Sequence, residues 1–131
     1  MKKENRALNI VLWVLQLLGA AMFLMAGSSK LTGNQQMVQA FEMIGLGQWF
    51  RVLTGALEVI GAVLLLVPQT AFFGALLLAI VMVGAVIAHL FVLGGSPAMA
   101  VILLLAMAII AWGRRGRISA LYAGRDKEVT A

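Results

Sequence analysis

Four apolar stretches, residues 8–28, 52–67, 71–93 and 97–112, fill most of the 131-residue chain, each bounded by a polar residue, a glycine or a proline. Runs of 16 or more residues with scarcely a charge cannot be coated with water-facing side chains, and they need hydrocarbon around them. Composition agrees, with 63% of residues hydrophobic and 11% charged, against roughly half and a quarter in soluble domains. The sequence therefore predicts an all-α membrane protein, a single domain folded as a four-transmembrane-helix bundle. The first stretch exceeds the about 7–15 residues of a signal-peptide core, although Lys2 and Lys3 imitate its basic start, so an uncleaved helix is expected. Sixteen residues span only about 24 Å of a hydrocarbon layer near 30 Å, so Trp49 and Phe50 are expected to extend the second helix.

The breaks between stretches read as tight turns. Pro68-Gln69-Thr70 predicts a hairpin with Thr70 as the N-cap of the third span, and Gly94-Gly95-Ser96-Pro97 another, with Ser96 as N-cap and Pro97 at the first helical position. Spans two, three and four are then antiparallel neighbours. Of the ten Lys and Arg, eight lie at the two termini and two, Lys30 and Arg51, in the connection between spans one and two. That asymmetry predicts cytoplasmic termini, with Trp112 and Tyr122 at the cytoplasmic interface and Trp49 at the outer one. A net charge of +5 distributed this way marks membrane topology and excludes a nucleic-acid partner.

The connection, residues 30–51, carries Met37, Phe41 and Ile44 at i, i+4, i+7 with Gln35, Gln36, Gln39 and Glu42 around them, which predicts a short amphipathic helix on the outer surface or lidding the bundle. Residues 113–131 form a basic cytoplasmic tail, and Arg114-Arg115-Gly116-Arg117 reads as an anchor to anionic lipid.

Most of the functional signal is in the ionisable residues that the spans retain. A carboxylate at mid-membrane costs about 2.5–3.5 kcal/mol on insertion scales, so Glu58 requires a partner or a purpose. Counting about 1.5 Å per residue from the outer side, Glu58 lies about 9 Å in and His89 about 6 Å in, while Lys30 can reach inward from the end of span one. Three ionisable groups from three helices thus share one level. Thr54, Gly55, Gly61 and Ala62 surround Glu58 along its helix, with Arg51 two turns out on the same face. In span one the small and polar stripe Gln16, Gly19, Ala20, Phe23, Ala26, Gly27 and Lys30 is expected to face inward. The candidate ligand-binding residues are therefore Lys30, Glu58, His89, Arg51, Thr54 and Gln16. The competing reading is a neutralised polar clamp that holds helix register.

The segments Ala26-Gly27-Ser28-Ser29-Lys30-Leu31, Gly45-Leu46-Gly47, Thr54-Gly55-Ala56-Leu57-Glu58-Val59-Ile60-Gly61-Ala62 and Ala85-Val86-Ile87-Ala88-His89-Leu90 together resemble the DoxX and DoxX-like family of small four-helix membrane proteins, over roughly residues 8–112. The resemblance implies a bacterial inner (plasma) membrane bundle, a link to thiosulfate:quinone oxidoreduction, and Lys30, Glu58 and His89 as the polar positions. It also implies assembly-factor relatives, so it assigns no reaction and no catalytic residue.

Other chemistries are narrowed by counting. The chain has no cysteine, hence no thiolate, disulfide or iron–sulfur cluster of its own. A bis-histidine haem is excluded by the single His89, and His–Met ligation is the remote alternative. Zinc would need three or four ligands where the bundle offers His89 and Glu58, so no metal is expected. Gly45-Leu46-Gly47 lacks the strand–helix setting of a dinucleotide site. The expected function is a pocket for a lipophilic small molecule, a quinone above all, in an accessory or subunit of a membrane redox system, with a membrane-protein partner or self-association. His89 would exchange a hydrogen bond or proton with a carbonyl oxygen, Glu58 orient it and Lys30 tune Glu58. The alternative is a non-catalytic assembly or scaffold protein. Transport is least favoured, since the cytoplasmic halves of spans two to four, read as ending at Trp112, contain no ionisable residue.

Overall fold

The computed structural model describes the backbone of residues 3–130 and the side chains of residues 6–116. Helix α1 runs Lys3–Thr32, α2 Gln35–Ile44, α3 Gln48–Leu66, α4 Ala71–Ala88 and α5 Ala98–Thr130, with a π-helical turn, His89–Leu93, closing α4. Among the described residues, four segments are long and apolar enough to cross a bilayer: Arg6–Thr32, Gln48–Leu66, Ala71–Leu93 and Ala98–Gly116. Helix α1 packs along α3 and α5, and α4 packs along the same two, closing a ring of alternating direction. One end carries α2 across the ends of α1, α3 and the π turn, and is called the lidded end; the other is the terminal end. Trp49, at the lidded end, and Trp112, toward the terminal end, are both exposed, whereas the side chain of Tyr122 lies outside the described residues.

The apolar stretches become helices with bounds set by hydrogen bonding rather than hydropathy. Helix α3 starts four residues earlier than its apolar run and so includes Trp49, Phe50 and Arg51, while α5 continues past Trp112 without a break. Thr70 precedes α4, but its side chain does not cap that helix. Its hydroxyl instead donates to the Leu64 carbonyl at 2.9 Å, because the end of α3 leaves carbonyls that need donors. Ser96 accepts from the Ala98 amide at 3.1 Å, and Pro97 supplies the first accepting carbonyl, so α5 begins one residue later than expected. The predicted amphipathic helix is α2, started by Asn34, whose side chain accepts from the Gln36 amide, and stopped by Gly45 in the left-handed region at φ 84°.

Glycines bring the helices into contact. A Cβ on Gly27 would stand 2.8 Å from the Gly55 carbonyl oxygen, and one on Gly55 would stand 2.8 Å from the Lys30 Cβ. Between α3 and α4, a Cβ on Gly74 would stand 2.8 Å from the Gly61 carbonyl oxygen. Such crossings suit membranes, where association depends on close packing because lipid is as apolar as the helix surface. The stripe of α1 faces inward, with Gln16, Gly19, Ala20, Phe23 and Gly27 all buried. Leu12, Leu65, Leu78, Met107 and Ile110 fill the terminal half of the core.

Candidate functional site

At the lidded end the helices do not meet solidly. A cavity of about 440 Å³ lies between α3 and α4 beneath α2, which contributes Met37, Ala40, Phe41 and Ile44 to its wall. Lys30, Thr54, Glu58 and His89 also line it, amid a mainly aliphatic and aromatic surface. The amphipathic pattern of α2 explains its position: the apolar face closes the cavity and Phe41 is buried, tilted against Phe50 at 5.8 Å between centroids.

The close α1–α3 crossing at Gly27 and Gly55 positions the charges. One turn beyond it on each helix, Lys30 Nζ lies 2.7 Å from Glu58 Oε1, with the Lys30 side chain 15% exposed and that of Glu58 1%. Burial at this depth is tolerable because the two charges neutralise each other. The second carboxylate oxygen, Oε2, has no hydrogen-bond partner among the described residues. His89 lies at the junction of α4 and the π turn, its Nδ1 2.9 Å from the Ala85 carbonyl oxygen. A carbonyl only accepts, so in the neutral ring Nδ1 carries the proton and Nε2 is an acceptor. In the π turn the Gly94 amide donates to the His89 carbonyl five residues back rather than four, which widens the helix at the level of the cavity, a local distortion common at functional sites.

The remaining candidates separate. Thr54 lines the cavity while its hydroxyl donates to the Phe50 carbonyl at 2.8 Å. Arg51 is absent from the wall: its Nε donates to Gln48 Oε1 at 2.8 Å and its Nη1 to the Lys30 carbonyl, tying the start of α3 to the end of α1. Gln16 is 14 residues from Lys30 along α1, about 21 Å at helical rise, and belongs to another cluster. Its amide nitrogen donates to the Leu65 carbonyl at 2.7 Å and its oxygen accepts from Arg114 Nε at 2.6 Å. Arg114 also donates to Asn9 Oδ1 at 2.8 Å and lies 5.6 Å from the centre of the Trp13 ring.

Arg114 corrects the sequence reading. It was expected among the lipid-anchoring charges outside the fourth span, but it is 5% exposed and lies inside Ala98–Gly116. An ionisable residue therefore does occupy the terminal half of that span, neutralising the argument that none was there. The signal existed in α1, where Asn9, Trp13 and Gln16 recur at i, i+4, i+7, a polar-tipped face that predicts a buried donor opposite. Arg115 is exposed, its guanidinium 4.7 Å from the centre of the exposed Trp112 ring. Among the described residues no group of three or more His, Cys, Asp or Glu is placed to hold a metal.

Four spanning helices, a lid and a polar-tipped apolar cavity define the class: a small multi-pass membrane protein with a cavity inside the bundle. A family model of the DoxX-like family matches residues 14–113, and the chain belongs to that family. Comparison with curated proteins and with solved structures finds no match.

Proposed function

We propose that this protein binds a lipophilic small molecule of the quinone class in the cavity beneath α2, as an accessory or subunit of a membrane redox system. The observation that carries the reading is the convergence of Lys30, Glu58 and His89 on one cavity of about 440 Å³ whose other walls are mainly apolar. Ligand pockets share that size, roughly 300–1,000 Å³, and that ratio of polar to apolar groups. Glu58 and Lys30 hold the polar head, the aliphatic wall takes the ring and the start of the tail, and His89 marks the lidded side. The setting that membership of the DoxX-like family suggests is a bacterial inner membrane, and the eight-to-two distribution of Lys and Arg supports both termini in the cytoplasm.

The test is mass spectrometry of lipid extracts from purified wild type and from Ala85→Phe, which fills the cavity wall. A species enriched in the wild type and depleted in the variant is expected; equal extracts would overturn the reading. Reporters after Ala131 should be cytoplasmic and tags near Gln35 external, and an external C-terminus would reverse the orientation. A scaffold reading is favoured by one observation, the Lys30–Glu58 pair beside the Gly27–Gly55 crossing, where a register clamp would be useful. It predicts that Ala85→Phe leaves function in cells intact.

A further inference from the structure

We infer that the cavity selects a molecule whose head donates a hydrogen bond, a hydroxyl rather than a carbonyl or ether, and that this molecule enters sideways from the lipid between α3 and α4. The inference rests on the binding reading above and adds the chemistry of the head and the route.

The head follows from the acceptors on the cavity wall. Glu58 is half of an ion pair, and an ionised carboxylate only accepts hydrogen bonds. Its Oε2 is buried without a partner among the described residues, which is costly in a low-dielectric interior unless a donor arrives. His89 adds a second acceptor, since its Nδ1 is committed to the Ala85 carbonyl. Among the described residues of the wall, Thr54 and His89 Nδ1 are engaged with backbone carbonyls, and Lys30 is left as a competing donor. Its side chain is partly exposed, so its remaining protons can reach water, whereas the Glu58 side chain is 1% exposed. The unmet requirement is thus greatest at the carboxylate. Within the quinone class, the dihydroxy form carries such donors and the diketone carries only acceptors.

The route follows from residues that line the cavity and also face outward. Leu53, Ile80 and Gly84 do both, with Ile80 63% exposed. Ile80 is nine residues into the span Ala71–Leu93, about 13 Å along it and near the middle of the hydrocarbon layer. Exposure at that depth is exposure to lipid. Gly84, one turn further, leaves the edge low, since a Cβ there would meet nothing within 4 Å. A head held at Glu58 can therefore leave its tail in the bilayer.

The probes are para-nonylphenol and its methyl ether, alike in ring and tail and different in the donor. Binding is measured to full-length protein in nanodiscs, corrected for the partition of each probe into empty discs. Wild type should bind the phenol at least tenfold more tightly than the ether. In Glu58→Gln, whose amide offers donors as well as an acceptor, the ratio should fall toward one, with melting in detergent checked alongside. Gly84→Phe, which raises the edge, should slow phenol association without changing the preference. Equal binding of both probes by wild type would overturn the inference and leave the pocket standing. A preference that persists in a folded Glu58→Gln would remove Glu58 as the acceptor and overturn it equally. Binding of neither probe would defeat the pocket reading itself.

Discussion

The two ends of the bundle bury polar side chains in different ways. At the terminal end, Gln16 has both ends of its amide engaged, by Leu65 and Arg114, inside a core of fully buried Leu12, Leu65, Met107 and Ile110. At the lidded end, Glu58 has one oxygen against Lys30 and the other against nothing in the described chain, at the wall of a cavity. Both clusters incur the cost of placing polar atoms in hydrocarbon. One recovers it within the protein, which is what a structural lock requires. The other leaves an acceptor and a volume open, which is what a binding site requires.

That contrast can be broken most forcefully at Lys30. Replacing it by Met leaves the Glu58 carboxylate buried and uncompensated, and should destabilise by about 3–5 kcal/mol. Glu58→Gln should cost less, and the double variant should recover part of the loss in a thermal-shift cycle. Strictly additive effects would show that the two groups do not interact.

Gly27→Ala is the next largest. Its methyl would meet the Gly55 carbonyl and Val59 at 2.8 Å, so the helices must part, at about 1–3 kcal/mol. Because the same crossing holds Lys30 against Glu58, ligand occupancy should fall with it. A melting temperature equal to wild type would show that the crossing is looser than described.

Gln16→Leu sharpens the comparison from the other end. It strands the Leu65 carbonyl and one Arg114 donor, at about 1–3 kcal/mol, yet occupancy of the distant cavity should stay at the wild-type level. Loss of ligand from a stably folded Gln16→Leu protein would mean that the two clusters act as one.

Gly84→Ala should have the smallest effect and the opposite sign. With open space around it, the better helix former should stabilise by about 0.5–1 kcal/mol. Chemical denaturation of the pair Gly27→Ala and Gly84→Ala then separates a glycine held by packing from one that borders an opening, and destabilisation by both would erase that distinction.

Hydropathy determined the number of spans and their antiparallel order, because backbone in hydrocarbon must satisfy itself as helix and only four stretches are long enough. Helical spacing placed Gln16 and Gly27 on the inward face of α1 and gave α2 an apolar face, since periodicity is a local property that any packing must respect; that this face covers the bundle was decided by the tertiary structure. Lys30, Glu58 and His89 were placed at one level by counting residues along the spans, and Thr54 by its helical spacing from Glu58. Distance along a helix says nothing about which neighbour a side chain meets. Only the tertiary structure decided that Arg51 ties α3 to the end of α1, that Gln16 serves Leu65 and Arg114 at the opposite end, and that Thr70 donates backward to Leu64. Each depends on which carbonyls and amides the packing leaves without a partner. The cavity was likewise invisible in the sequence, because a void is a failure of surfaces from three helices to meet, and no single segment encodes it.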